Sequence, residues 1–150
     1  MQKQLLNGIE HNKHFKSVFE DEQDLLSCIL QLHNNGMMVD LDPMFFKGKF
    51  YQDGLERPKL IFDINPQEIW IPKGNATKLN LANESIKSMI LDPPFMFGTG
   101  HGAQDDFYSS KTHGLLTWEN LQKLYKDILK EANRVLVNKG LLIFKCQDYT

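Results

Sequence analysis

Three short apolar segments, each ending at an Asp-Pro or Asn-Pro pair, constrain the fold of this sequence more than any other feature. The segments are MMVDL before Asp42-Pro43, LIFDI before Asn65-Pro66 and IKSMIL before Asp92-Pro93. A residue before proline is held in extended geometry, and proline has no N–H to donate, so each pair ends a regular element. Short apolar runs bounded in this way are typical of β-strands.

Two segments with helical spacing of apolar residues flank these strands. Asp21 is a suitable N-cap for the first helix, and Gly36 supplies its stop. Thr117 caps the second, whose apolar spacing runs to Leu136 and which closes at Asn138-Lys139-Gly140 before a last apolar strand, LLIFKC. Strands that are apolar on both faces, alternating with one-sided helices, indicate the doubly wound α/β class with a mostly parallel sheet.

Weaker signals complete the expected organisation. Residues 68–71 are predicted as a further strand, and residues 74–79 as a strand end and turn. Residues 1–20 are polar at their start and are predicted to be a flexible lead-in, so the domain is expected to span residues 21–150.

Composition bounds the functional classes. The chain of 150 residues has a formal net charge of −2, which lacks the basic excess of proteins that bind DNA tightly through its phosphates. No leader segment or apolar run of roughly 20 residues is present, so we expect a cytoplasmic protein with no membrane partner. Cys28 and Cys146 lie in apolar runs and are expected to be small buried hydrophobic residues in a reducing compartment.

Polar residues mark the ends of the predicted strands. In an open α/β sheet, ligands bind outside the carboxyl ends of the strands. We therefore expect a site at the edge that carries these residues: Asp40 and Asp42, Asp63, Asn75, Asp92, and Gln147 with Asp148.

Asp92-Pro93-Pro94-Phe95 is the segment most suited to chemistry. An aspartate commonly accepts the backbone N–H two residues on, but here that residue is Pro94, which has none. The Asp92 carboxylate and the Pro93 carbonyl are therefore expected as two rigid acceptors beside an aromatic ring. They fit an amino group with two N–H donors, whose lone pair is then free to meet an electrophile through positioning alone. A plain surface turn is the alternative.

These four residues resemble the Asp/Asn-Pro-Pro-Tyr/Phe signature of amino-methyltransferases, which methylate adenine N6 or cytosine N4 in nucleic acids. Residues 75–79, 85–86 and 89–91 resemble the usual approach to that signature, and residues 125–136 followed by 138–144 resemble the helix and fifth strand that follow it. The segment 42–51 is similar to small phage and bacterial DNA-methylase-like proteins. Ordered co-occurrence of these pieces over residues 37–150 is more specific than any one of them.

The resemblance implies a methyltransferase-type Rossmann-like fold that transfers a methyl group from S-adenosylmethionine to an exocyclic base amine, above all adenine N6 in DNA. It implies the catalytic residues Asp92, Pro93, Pro94 and Phe95, with the amine on Asp92 and Pro93 and the base stacked on Phe95. The implied partner is nucleic acid, DNA rather than RNA, bound tightly only with a further segment or subunit. An RNA or other amine methyltransferase and an inactive remnant that binds cofactor or a partner are the alternatives.

The resemblance also implies where the cofactor binds. It assigns Asp63 to the ribose hydroxyls, Asn75 with Ala76 to the adenine, and Asp40 or Asp42 to the methionine part. No metal is implied.

The sequence departs from the family pattern in two places. The usual glycine-rich turn after the first strand is absent, because Gly48 and Gly54 are too far apart to replace it. The family's sheet also continues into a sixth and seventh strand, whereas this sequence ends at Thr150. Either the sheet lacks the C-terminal strand pair, which leaves an exposed edge through which a homo-oligomer is expected to form, or the natural protein is longer.

Other residues near the predicted site have alternative interpretations. Residues 96–116 show no periodicity and are either a cover over the target base or plain disorder, and their histidines lack metal-ligand spacing. Asp63 is alternatively a turn residue, because Asn65-Pro66 follows it. Tyr51 and Phe46 are expected to pack rather than to touch a ligand.

Overall fold

The computed structural model describes residues 18–52, 54–94 and 117–146, which form an α/β fold around a four-stranded parallel sheet. In chain order the elements are α1 (Glu22–His33), β1 (Leu41–Asp42), β2 (Leu60–Ile61), β3 (Ile86–Leu91), α2 (Trp118–Val135) and β4 (Leu136–Phe144). Neighbours in the sheet follow the order β2-β1-β3-β4, and the three pairings between them are parallel. The α/β class and the parallel sheet predicted from the sequence are confirmed.

Both helices begin at the predicted N-caps. The Asp21 carboxylate accepts two backbone N–H groups of the first turn of α1, at 2.7 and 3.1 Å. The Thr117 hydroxyl accepts one in the first turn of α2, at 3.2 Å. These bonds satisfy donors that no helical carbonyl reaches. Beyond α1, Gly36 adopts a positive φ of 73° and donates its N–H to the Leu30 carbonyl, as expected of a helix stop.

The two helices cover opposite faces of the sheet. Within β3, Ile90 packs with Leu26 of α1, whereas Met89 and Leu91 pack with Ile128 of α2. Successive strand residues point to opposite faces, so α1 and α2 lie on opposite sides. The double coverage explains why β3 reads as an almost continuous apolar run in the sequence.

β1 and β2 are shorter than the apolar runs that predicted them. Pro43 follows β1 and has no N–H with which to continue the ladder. After β2, Phe62 donates its N–H to the Asp42 carbonyl and accepts the N–H of Phe45, so pairing passes to the chain beyond β1. The strand predicted at residues 68–71 is wrong, because Ile71 donates to the Glu68 carbonyl in a turn.

The end of α2 also differs from expectation. The helix was predicted to close at Asn138-Lys139-Gly140, but it ends at Val135, and β4 begins at once with Leu136. Leu136 already pairs with Ile86, and the register then shifts before Leu141 pairs with Ser88. The residues between form an irregular stretch in which Lys139 has a positive φ of 62°. Asn138, Lys139 and Gly140 therefore lie at a break in register within β4 and not at a helix end.

Residues 43–59, the β1–β2 connection, contain no helix in their described part (43–52 and 54–59). Parallel strands are usually joined by a helical crossover. Here the Phe45 ring stacks on Tyr51 with 5.5 Å between centroids and meets Trp70 edge-on at 5.7 Å. Gly48, with φ 64°, lies against Phe45 so closely that a Cβ there would come within 2.3 Å of the ring. Aromatic packing thus takes the place of a helix.

Several remaining expectations have mixed outcomes. Cys28 is half-buried but Cys146 is exposed, because it lies beyond the end of β4, so its expected burial is wrong. In the described part of the chain, no helix has the length and apolar character needed to cross a membrane. The lead-in before Val18 and the loop 96–116 lie outside the described residues.

Candidate functional site

The direction in which successive strands are added to the sheet reverses between β1 and β3. From β1 the chain passes to β2 on one side and then returns to β3 on the other. Ligands of open α/β sheets bind outside the carboxyl ends of the strands at such a switch point. A cavity of about 160 Å³ lies there, lined by residues that follow β1, β2 and β3 and by Leu124 of α2. We call it the switch-point cavity.

The switch-point cavity brings together five residues that the sequence assigned to a site: Asp63, Asn75, Ala76, Asp92 and Pro94. Pro93 is fully buried and is not on the cavity wall, so its carbonyl as a second acceptor stays a prediction. Phe95, predicted to stack on the base, lies outside the described residues, as do Gln147 and Asp148.

Asp40 and Asp42, left as alternatives by the sequence, lie at opposite ends of β1. Asp42 is the last residue of the strand, is 2% exposed and precedes Pro43 on the cavity wall. Asp40 precedes the strand, and its carboxylate accepts the N–H of Lys87 at 3.1 Å. It lines a different cavity, of about 540 Å³, formed around the amino ends of β1 and β3. Only Asp42 therefore belongs to the carboxyl edge.

The Asp42 carboxylate is held by two donors, the Tyr51 hydroxyl at 2.7 Å and the Met44 N–H at 2.9 Å. Burial raises its pKa from 3.8 to about 7, opposed by these two hydrogen bonds and reinforced by the charges of Asp92 and Asp63. Burial raises the pKa of Tyr51 far above its ordinary range, and the negative charge of the neighbouring Asp42 raises it further. The Tyr51 hydroxyl therefore remains a donor. Asp42 can therefore take either charge state near neutral pH.

Asp63 acts both as a turn residue and as a wall of the switch-point cavity. Its two oxygens accept the N–H groups of Phe46 and Asn65, each at 2.8 Å. A carboxylate offers about four acceptor positions, so positions remain for a ligand. Phe46 was expected only to pack, but it lines the cavity with a positive φ of 49°, which is unusual for a bulky residue. Its N–H bond to Asp63 helps to hold that conformation.

Two residues not predicted from the sequence support the Asp-Pro-Pro turn. Lys145, just beyond β4, places its Nζ 3.9 Å from Asp92 and 2.8 Å from Glu22. The Tyr125 hydroxyl of α2 donates to the Pro94 carbonyl at 3.1 Å. Tyr125 has helical spacing from Leu121 and Ile128 on the apolar face of the predicted helix. A half-buried tyrosine there needs a partner for its hydroxyl, and this was the available signal.

Glu131 and Arg134 of α2 form a second unpredicted feature. Glu131 accepts the N–H of Leu79 at 2.6 Å, and Arg134 donates to the carbonyls of Leu79 and Leu81 at 3.0 and 2.8 Å. The hydrogen bonds from Arg134 lower the pKa of Glu131, against the effect of burial. The pair fixes the chain that leads into β3, so Arg134 stabilises the fold.

The charge of the switch-point cavity limits its ligands. No Lys, Arg or His is among the lining residues that the structure describes, whereas Asp63 and Asp92 are. The described part of the β1–β2 connection (43–52 and 54–59) also has no helix N-terminus, the usual phosphate site of this class. Across residues 18–52, 54–94 and 117–146, no group of three His, Cys, Asp or Glu is arranged to hold a metal ion. The arrangement suits a ligand with hydroxyl or amine donors, or a positive charge.

Comparisons with protein-family models, curated proteins and solved structures found no match to this chain. The strand order and the covered parallel sheet define a Rossmann-like α/β protein. The finer assignment therefore depends on the chemistry of the switch-point cavity.

Proposed function

We propose that this protein is an S-adenosylmethionine-dependent methyltransferase that acts on the exocyclic amine of a base, adenine N6 in DNA. The observation that carries the proposal is that Asp92 and Pro94, from the signature-like turn, share one cavity with Asp63 and Asn75. The first pair would meet the target amine and the second pair the cofactor. Their convergence at the switch point supports a site in which two substrates lie side by side.

The chemistry of the cavity wall fits part of S-adenosylmethionine. Asp63 retains acceptor positions for ribose hydroxyls, and Thr77 donates its N–H and hydroxyl to Asn75 Oδ1 at 2.9 and 2.8 Å. Those bonds leave the Asn75 amide hydrogens for a ring nitrogen, while Phe46 and Ile64 offer apolar surface to a flat heterocycle. The volume of about 160 Å³ lies below the roughly 300–1,000 Å³ of typical ligand pockets. The described residues therefore enclose one portion of the molecule.

Bound S-adenosylmethionine supplies an electrophilic methyl group on a sulfonium. The chain's own contribution is to position the amine. The Asp92 carboxylate accepts an N–H of the amine, which directs the nitrogen lone pair away from that bond and stabilises the positive charge that grows on nitrogen. The same carboxylate would accept the proton that the amine releases when it gains the methyl group. A duplex target must first present its base outside the stack.

The test is methyl transfer by Asp92→Ala from labelled S-adenosylmethionine to adenine-containing DNA. We expect turnover to fall by about 10²-fold or more, the usual effect of removing a group that stabilises transition-state charge. Cofactor affinity should fall far less than turnover, because Asp92 is assigned to the amine. Asp127→Ala, which removes an exposed carboxylate of α2, is the control.

Unchanged turnover in folded Asp92→Ala would contradict the assigned role. The same assay with adenine-containing RNA separates the substrates, since transfer to RNA alone would overturn the DNA assignment. Cofactor binding without transfer to either would favour an inactive remnant.

A further inference from the structure

Three carboxylates converge on the carboxyl edge of the sheet. Asp42 ends β1, Asp63 follows β2 by two residues, and Asp92 directly follows β3. Asp63 and Asp92 line the switch-point cavity. Asp42 is not on the cavity wall, but it is buried directly before Pro43, which is. No Lys, Arg or His is among the described wall residues, and Lys145, which is not one of them, forms an ion pair with Asp92 at 3.9 Å.

Tyr51 fixes the third carboxylate in place. Its ring lies parallel to Phe45, with an interplanar angle of 6°, and its hydroxyl donates to Asp42 Oδ2 at 2.7 Å. The N–H of Met44 holds the other oxygen. A donor on each oxygen fixes the carboxylate and stabilises its charged form.

We propose that the switch-point cavity prefers a cationic ligand to a neutral ligand of the same shape, and that Tyr51 is a positioning residue for this selectivity, acting through Asp42. The inference rests on the proposed function. S-adenosylmethionine carries a sulfonium charge, whereas its product S-adenosylhomocysteine has a neutral thioether and one methyl group fewer. The cavity should therefore hold the cofactor more tightly than the product, which favours exchange after each transfer.

The selectivity should depend on pH. Burial raises the pKa of Asp42 to about 7, so a proton neutralises it under mildly acidic conditions. The groups that face it are the Tyr51 hydroxyl from the β1–β2 connection, Asp63 after β2 and Asp92 after β3, the last within reach of Lys145. As the pH falls below 7, the carboxyl edge beside the cavity loses one negative charge, and the cavity loses part of its preference for a cation.

The experiment is isothermal titration of the whole chain with each of the two compounds at pH 6, 7 and 8. At pH 8 we expect S-adenosylmethionine to bind about tenfold more tightly, the effect of one partly screened charge interaction, and the ratio to shrink at pH 6. In Asp42→Asn the ratio should lose its pH dependence. In Tyr51→Phe the Asp42 pKa should rise further, which moves the change in ratio to higher pH.

Asp127→Asn serves as the carboxylate control and should behave as the unmodified chain. Equal affinities at pH 8, or a ratio independent of pH in the unmodified chain, overturn the inference while cofactor binding itself stands. These two measurements need no variant, so a misfolded Tyr51→Phe does not remove the test. If neither compound binds the folded chain, the proposed function fails as well.

Discussion

At the scale of single residues, Asp42 is a carboxylate on which opposing effects can be weighed. Hydrogen bonds from Tyr51 and Met44 favour its charged form, whereas removal from water favours its neutral form. Burial prevails, because the pKa rises to about 7. The chain therefore tolerates an unfavourable charge at its candidate site, as sites specialised for function commonly do.

Asp42→Asn should change how stability depends on pH. Since the folded pKa of about 7 exceeds the ordinary 3.8, the folded state holds an extra proton between them. This extra proton stabilises the folded state of the unmodified chain fully below about pH 4. The stabilisation is lost as the pH rises through 7, and the unfolding free energy then falls by an amount on the order of 4 kcal/mol. The asparagine oxygen can still accept the Met44 N–H, and its amide can donate to Tyr51.

Denaturant titrations at pH 4 and pH 8 measure this difference. The variant should match the unmodified chain at pH 4 and exceed it in unfolding free energy at pH 8. Asp40→Asn, at the other end of β1, is the matched control for the loss of one carboxylate. A profile of Asp42→Asn that runs parallel to the unmodified chain would show that Asp42 is ionised throughout.

At the scale of elements, the β1–β2 connection shows how aromatic packing joins two parallel strands without a helix. Its described part has neither the family's glycine-rich turn, which the sequence also lacks, nor the usual crossover helix, and Phe45 packs against Tyr51 and Trp70 instead. Gly48 permits this packing because it has no Cβ to meet the Phe45 ring. The same connection supplies Phe46 to the cavity and Tyr51 to Asp42, so its packing and the site are coupled.

Gly48→Ala should disrupt this element. The positive φ alone costs about 1–2 kcal/mol for a residue with a Cβ, and displacement of Phe45 adds about 1–3 kcal/mol. Gly36→Ala is a matched control, because Gly36 has a similar φ of 73° with nothing within 4 Å of an added Cβ. Chemical denaturation measures both, and a shift in Trp70 fluorescence should accompany only Gly48→Ala. Equal losses in the two variants would argue against a close Phe45 contact.

Local signals predicted the elements well where one residue decides the geometry. Asp21 and Thr117 start helices because their side chains reach nearby N–H groups, and Pro43 ends β1 because it lacks one. Contacts between distant segments carry no such signal. The bond from Leu79 to Glu131 spans 52 positions, so periodicity could not reveal it. Of the residues predicted at the carboxyl edge, Asp42, Asp63, Asn75 and Asp92 lie there, whereas Asp40 lies at the amino end of β1. The partners that set the charge of Asp42 were not predicted.

At the scale of the whole molecule, the reversal in strand order decides where chemistry can occur. Helices on both faces leave the strand ends as the place where side chains from three strands meet, and the switch-point cavity lies there. The net charge of −2 gives little general attraction for DNA phosphates, so the expectation of a further segment or subunit stays a prediction. Association through an exposed sheet edge also stays a prediction.

Binding of S-adenosylmethionine at the switch-point cavity is the claim on which the rest depends, and isothermal titration measures it directly. The folded chain should take up one equivalent, and Asp63→Asn should weaken binding by about tenfold, the effect of losing roughly 1.4 kcal/mol of interaction with the cofactor. The exposed α2 variant Asp127→Asn should bind as the unmodified chain does. Absence of heat at about 1 mM cofactor, with circular dichroism showing a folded protein, would contradict the account.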